Sequence, residues 1–254
     1  MDVNFGIQSY KQDAGQLSSQ RLINGYAEIQ PKDAKSKIAV FGAPGITTWC
    51  TAGSGPYRGG VVIDSVPYVV SGQELYSIDE DGVPQLRGNG ITGISRVGID
   101  GSLTEVVLVN GLNGFSYLIS TESFAQISDS DFIAANTVTC INNRFVEDEA
   151  GTNFFQVSDI LDGRNYLGDE AAAEANPDKV LAVGSRNSTL YLFGEKSIEA
   201  WDNTGASDFP FSRFNGATID RGIRAIHALV KEDQSFFFLG NDLVAYRFSG
   251  AGLQ

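Results

Sequence analysis

The chain has 254 residues, 42% of them apolar, which is enough for one large or two ordinary domains with a sizeable core. Its 31 acidic residues outnumber 18 basic ones, giving a net charge of −13, and no stretch gathers Lys or Arg into the stripe that phosphate binding requires. Tight nucleic-acid binding is therefore disfavoured, and an acidic surface near DNA would act by repulsion.

Residues 1–20 lack the basic-then-apolar order of a secretory signal, and no run approaches the eighteen or so apolar residues of a membrane helix. The expectation is a soluble chain without membrane insertion. Cys50 and Cys140, far apart in sequence, are expected as reduced thiols. With His227 the only histidine, a zinc site is not expected. The 29 Gly, set against 7 Pro and 1 Met, together with 16 Phe and 9 Tyr, suit many short strands joined by tight turns.

Residues 1–45 are polar around a short apolar patch, Leu22-Ile23-Asn24-Gly25-Tyr26, and read as an extended arm or clip. From residue 46 a repeat begins. An apolar strand enters a Gly-containing turn and leaves through a second strand, first at 66–70, Ser71-Gly72 and 75–78, then at 106–109, Asn110-Gly111 and 115–119. It returns at 143–146 and 154–157 around Gly151, at 189–193 and 198–201 around Gly194, and at 235–239 and 243–248 around Gly240. The turn glycines are 39, 40, 43 and 46 residues apart, within the period of propeller blades.

Another candidate strand precedes each hairpin, at 60–63, 95–99, 138–141, 180–183 and 223–229. Runs such as Phe236-Phe237-Phe238-Leu239 have the continuous apolar character of strands covered on both faces. The predicted class is all-β: a β-propeller in residues 46–254 with blades near 56–92, 93–133, 134–175, 176–220 and 221–254. A β-sandwich has similar strand spacing. The fifth unit reaches Gln254 just after its hairpin, so closure needs an N-terminal strand or a chain that runs on to a sixth blade. Residues 162–178, rich in Ala and Glu before Pro177, are expected to form a short helix or long loop.

No catalytic, cofactor-binding or metal-ligating residue is predicted, and no cofactor. Gly88, Gly90 and Gly93 spell G-x-G-x-x-G, but dinucleotide binding needs that loop to open a helix, and 94–99 reads as a strand. The acidic groups Asp79-Glu80-Asp81, Asp129-Ser130-Asp131, Glu147-Asp148-Glu149 and Asp169-Glu170 read as solvated turns. His227, in an apolar stretch, reads as a core or half-buried histidine. No G-x-S-x-G surrounds a serine. The aromatics Phe154, Phe155, Trp201, Phe209, Phe211, Phe214 and 236–238 are expected mostly in the core.

Several blocks resemble one family. They are Gln20-Arg21-Leu22-Ile23-Asn24-Gly25-Tyr26-Ala27-Glu28, Gly42-Ala43-Pro44-Gly45-Ile46, Gly53-Ser54-Gly55-Pro56-Tyr57-Arg58-Gly59, Leu75-Tyr76 and Asp129-Ser130-Asp131-Phe132. The most specific is 190–201, ending Gly194-Glu195-Lys196-Ser197-Ile198-Glu199-Ala200-Trp201, followed by Asn203-Thr204-Gly205 and Asp208-Phe209-Pro210-Phe211. In order, these are similar to the phage packaged-DNA stabilisation family, tail nozzle or head-closure proteins of short-tailed phages, whose typical members are longer.

The resemblance implies a non-enzymatic virion tail protein, present in the host cytoplasm during assembly. It further implies a ring of copies, commonly a hexamer, contacting portal or adaptor proteins and tail fibre, spike or needle proteins. Double-stranded DNA would be retained by that ring and pass through it on ejection without tight binding. Residues 1–45 are then candidates for contacts with a neighbouring subunit or adaptor. The rival readings are a carbohydrate-binding propeller adhesin using exposed aromatics and a propeller hydrolase with carboxylates converging in its central cavity.

Overall fold

The computed structural model describes residues 22–169, 171–173, 176, 178–206, 209–232, 234–250 and 252–254. The chain divides into two units, Met1–Trp49 and Cys50–Gln254. In the first, β1 (Gly25–Ile29) pairs antiparallel with β2 (Ile38–Gly42), setting Tyr26 opposite Phe41 and Ala27 opposite Val40. The Tyr26 and Phe41 rings stack at 5.7 Å. A two-stranded ribbon has little to bury its side chains against, and Ile29, Val40 and Phe41 remain exposed.

The second unit is a succession of antiparallel meanders, each made of strands adjacent in sequence. The first sheet comprises β3 (Tyr57–Ile63), β4 (Val66–Ser71), β5 (Glu74–Ile78) and β6 (Pro84–Asn89). The second comprises β7 (Gly98–Gly101), β8 (Glu105–Val109), β9 (Gly114–Leu118) and β10 (Ser123–Gln126). In the third, β11 (Val138–Ile141), β12 (Arg144–Asp148), β13 (Phe154–Asp159) and β14 (Asp162–Tyr166) are joined by β15 (Ala171–Ala172), which pairs with β13. The fourth holds β16 (Val180–Arg186), β17 (Thr189–Gly194), β18 (Ile198–Asn203) and β19 (Phe211–Ile219). The fifth has β20 (Leu229–Glu232), β21 (Ser235–Leu239) and β22 (Ala245–Phe248), with Leu253 bridging to Phe248.

Because successive side chains in a strand point to opposite faces, each inner sheet feeds two cores. In β8, Val106 and Leu108 pack with Val70, Leu75 and Phe115 between sheets one and two. Val107 and Val109 pack the other way, with Val138, Phe145 and Tyr166, between sheets two and three. Phe155, Leu190, Leu192 and Trp201 fill the next junction, and Phe193, Ile198, Phe236, Phe238 and Phe248 the one after. This double burial explains the uninterrupted apolar run 106–109, whereas in 236–239 only Phe236 and Phe238 are buried and Phe237 and Leu239 are exposed, which corrects the expectation of a strand covered on both faces. The first strand of every sheet lines one common cavity, so the sheets are the blades of a five-bladed propeller.

Several local expectations need correction. Residues 162–178 hold no helix among the described residues: β14 and β15 both pair with β13. Tertiary pairing overrides helix propensity here, for Gly163 lies so close to Val107 that a Cβ would stand 2.5 Å from its methyl. Glu170, Glu174, Ala175 and Pro177 lie outside the described residues.

The strand expected at 95–99 starts only at Gly98, because Arg58 holds the preceding segment as a loop through the carbonyls of Ile91, Thr92 and Ser95. That expected at 223–229 reduces to a bridge from Ile223 to Gly240, a turn closed by Ala228 N–H to Ala225, and β20 beginning at Leu229. Of the predicted turn glycines, Gly72, Gly111 and Gly151 have positive φ. Gly194 does not; a Cβ there would meet Asp178 Oδ2 at 2.5 Å.

Candidate functional site

The cavity on the propeller axis measures about 430 Å³ and is built from the inner strands of all five blades. Most of its wall is backbone and aliphatic surface from Gly59, Gly60, Gly98, Val138, Val183 and Gly184. Its charged groups are Arg58, Arg96, Lys231 and a single carboxylate, Asp100, with His227 alongside. The axis thus carries a cationic excess inside an acidic protein.

Arg58 is fixed by hydrogen bonding. Its guanidinium donates to Ser95 O at 2.6 Å, Gly72 O at 2.8 Å, Ile91 O at 3.2 Å and Thr92 O at 2.8 Å, joining blade 1 to the segment entering blade 2. Burial lowers its pKa from the ordinary arginine value. Asp100 accepts from Cys140 N–H at 2.7 Å and Thr139 Oγ1 at 3.3 Å, joining blade 2 to blade 3. Burial pushes its carboxyl up, while these donors and the charge of Lys231 oppose the rise.

The next junction repeats the device with hydroxyls. Thr137 Oγ1 accepts from Val183 N–H, Thr139 Oγ1 accepts from Ser185 N–H, both at 3.1 Å, and Ser185 Oγ donates to Cys140 O at 2.9 Å. Arg186 Nε donates to Gln234 O at 2.7 Å between blades 4 and 5. The axial polar groups thus stitch neighbouring blades at their inner strands.

A second cluster lies off the axis between blades 2 and 3. Buried Glu105 accepts from Ser116 Oγ and, at 2.9 Å, from Gly163 N–H, while Arg164 reaches Ser116 Oγ and Ser123 O. Glu147 Oε1 accepts from Tyr166 at 2.9 Å, and burial raises its carboxyl to about 8. Asp148 accepts from the backbone N–H and side chains of Asn136 and Thr137. Glu147 and Asp148 are wholly buried in β12, which corrects their reading as a solvated turn. Asp79 and Asp129 do cap turns, accepting from the N–H groups of Asp81 and Asp131.

His227 lines the axial cavity as a partly solvent-exposed residue, where the sequence suggested a core or half-buried one. Burial and the charge of Arg96 lower its pKa. Gly88 belongs to β6, and Gly90 and Gly93 to the loop before β7, so no helix follows the G-x-G-x-x-G. The two carboxylates required by the hydrolase reading do not converge in the axial cavity, and neither Glu105 nor Glu147 lines it. Among the described residues, no group of His, Cys, Asp and Glu has the arrangement of a metal site. Phe155, Trp201, Phe211, Phe236 and Phe238 are core; Phe154, Phe214 and Phe237 are exposed, one on each of blades 3, 4 and 5. Cys50 and Cys140 are free thiols.

Of the charged and titratable axial groups, the sequence drew attention only to His227 and assigned no role to Arg58, Arg96, Asp100 or Lys231. Arg58 offered the one available signal, a lone charge entering an apolar strand.

The geometry defines a propeller whose polar groups join its own blades. The family model for "Bacteriophage P22 Gp10, beta-propeller" matches residues 2–244, and the chain belongs to that phage stabilisation family. Its role is that of a phage structural protein. A search of curated proteins finds no significant match.

Similarity to solved structures lies in the fold. YCF48 bound to D1 peptide is 13% identical at a TM-score of 0.55, with 83% of this chain and 68% of that one covered. YCF48 from Cyanidioschyzon merolae is 14% identical at a TM-score of 0.51, over 76% and 69% of the two chains. U3-55K is 11% identical at 0.51, over 68% and 57%.

Proposed function

We propose that this protein is a tail subunit that assembles with copies of itself, commonly six, into a nozzle or head-closure ring. The ring retains packaged double-stranded DNA and lets it through on ejection. Membership of the phage stabilisation family over nearly the whole chain is the observation that carries this reading. The net charge of −13 supports a wall along which DNA slides without being gripped. Portal or adaptor proteins on one side and fibre, spike or needle proteins on the other are the expected partners. Assembly would take place in the host cytoplasm and the finished ring would reside in the virion tail.

Electron microscopy of purified protein and of phage particles tests the proposal. Rings in the tail, together with DNA loss from particles lacking the protein, are expected. Particles that retain their genome without it, or a protein absent from the tail, would overturn the proposal.

A further inference from the structure

Two of the three cations on the axial wall are already engaged. Arg58 gives its guanidinium to four backbone carbonyls. Lys231 lies where its charge offsets that of Asp100, the one carboxylate lining the cavity. Arg96 differs from both: it is exposed, and among the described residues no hydrogen bond or ion pair engages its guanidinium. Its charge falls instead on His227, whose imidazole pKa is lowered by burial first and by Arg96 second. Arg96 stands just before β7 and His227 just before β20, so blades 2 and 5 bring an arginine and the only histidine to the same cavity.

Two groups that repel one another when both are charged, set in a concave wall with no carboxylate between them, create a focused positive potential in a protein of net charge −13. Blade 1 adds a further donor, for the Tyr57 hydroxyl lies 3.1 Å from where a Cβ on Gly60 of the same wall would stand. Asp100 already accepts from Cys140 N–H and Thr139 Oγ1. The side chains left free are therefore donors, and the ligand that suits them is negatively charged and offers only acceptors. A phosphate group meets both conditions, and the planar arginine fork matches two of its oxygens. The volume of about 430 Å³ suits a small ligand and is far too small for a duplex.

We propose that the axial cavity binds a small phosphate-bearing anion between Arg96 and His227, with Tyr57 as a third donor. The anion is held best by the imidazolium, so binding raises the His227 pKa and affinity falls as pH rises through it. Of the other charged groups on the wall, Arg58 is tied to its carbonyls, and Lys231 and Asp100 oppose each other. The proposal goes beyond the tail-ring reading and does not rest on it.

Because His227 is the only histidine, its imidazole resonance in proton NMR of the whole chain reports on this site alone. Inorganic phosphate added at about pH 6, with ionic strength held constant by sodium chloride, should move that resonance saturably. Sulfate, a tetrahedral stand-in that keeps two charges throughout the titration, should raise the His227 pKa by about one unit, equivalent to tenfold tighter binding by the imidazolium. Arg96→Gln, at an exposed position, should weaken phosphate binding at least tenfold and abolish the sulfate-induced rise. His227→Asn, followed through the phosphorus resonance of the ligand, should weaken binding at acid pH and remove its pH dependence. An equal shift with chloride alone, or wild-type affinity in folded Arg96→Gln, would overturn the proposal. Duplex DNA at the same phosphate concentration should leave the resonance in place; movement with DNA and none with phosphate would also overturn it and assign these cations to the genome. Failure on any of these counts leaves the tail-ring reading standing, since that is tested on particles.

Discussion

The hydroxyl of Tyr166 donates to Glu147 Oε1 at 2.9 Å, while Glu147 Oε2 is buried without a partner among the described residues. Neutral carboxyls tolerate such a position far better than charged ones, which is why burial lifts Glu147 from an ordinary value of 4.5 to about 8. Between those values the folded state holds a proton that the unfolded state releases. Stability is therefore greatest on the acid side and falls as pH rises through the window, by up to ~1.4 kcal/mol per pH unit. The variant Glu147→Gln keeps a carbonyl to accept from Tyr166 and cannot ionise. Thermal unfolding from pH 5 to 9 should show the variant gaining on the wild type as pH rises; parallel curves would refute the assignment.

Arg58 is held by four backbone carbonyls and no carboxylate. Its planar fork satisfies acceptors spread over two turns, and a lysine ammonium has neither the number nor the spread of donors. Arg58→Met should leave several of these carbonyls unpaired and cost about 3 kcal/mol or more, with Arg58→Lys recovering less than half of the loss. Urea unfolding measures both. A loss below about 1 kcal/mol in Arg58→Met would show that the carbonyls find other partners.

Most of the propeller was legible because it depends on local pattern. The hairpins around Gly72, Gly111 and Gly151 have apolar strands and left-handed turn glycines, and both signals lie within a few residues. The β14 and β15 strands were not legible: they form because Asp162, Tyr166 and Ala171–Ala172 pair with β13, a tertiary pairing that outweighs the helical preference of an Ala- and Glu-rich segment. Nor could sequence separate the buried pair Glu147–Asp148 from exposed Asp79-Glu80-Asp81. Both are acidic runs, and only the donors of Tyr166, Asn136 and Thr137, brought from other strands or the preceding loop, make burial tolerable.

Cys140, on the inner strand of blade 3, has its thiol pushed up to about 12 by burial first and by the neighbouring charge of Asp100 second. Thiolate is the reactive form, so the native side chain should be nearly inert at pH 8. Brief treatment with iodoacetamide followed by peptide mass spectrometry should leave Cys140 unmodified in native protein and modified in urea. Equal modification in both states would mean that the inner strand opens readily.

Gly88 looks in the sequence like the first glycine of a nucleotide-binding loop, but its role is to admit a ring. Phe124 of β10 lies across it, so that an added Cβ would stand 2.2 Å from the ring, and the same ring stacks on Phe115 at 5.7 Å in the junction between blades 1 and 2. Gly88→Ala should force Phe124 off that stack and cost about 1–3 kcal/mol, the usual penalty of overpacking. Gly90→Ala is an informative comparison: no atom lies within 4 Å of its added Cβ, and its positive φ adds only backbone strain. Pairing each with Phe124→Leu in a double-mutant cycle under urea separates the two causes, because only the Gly88 penalty is relieved by shrinking the ring. An equal penalty for Gly88→Ala with and without Phe124 would show that contact with the ring is not what excludes a side chain there.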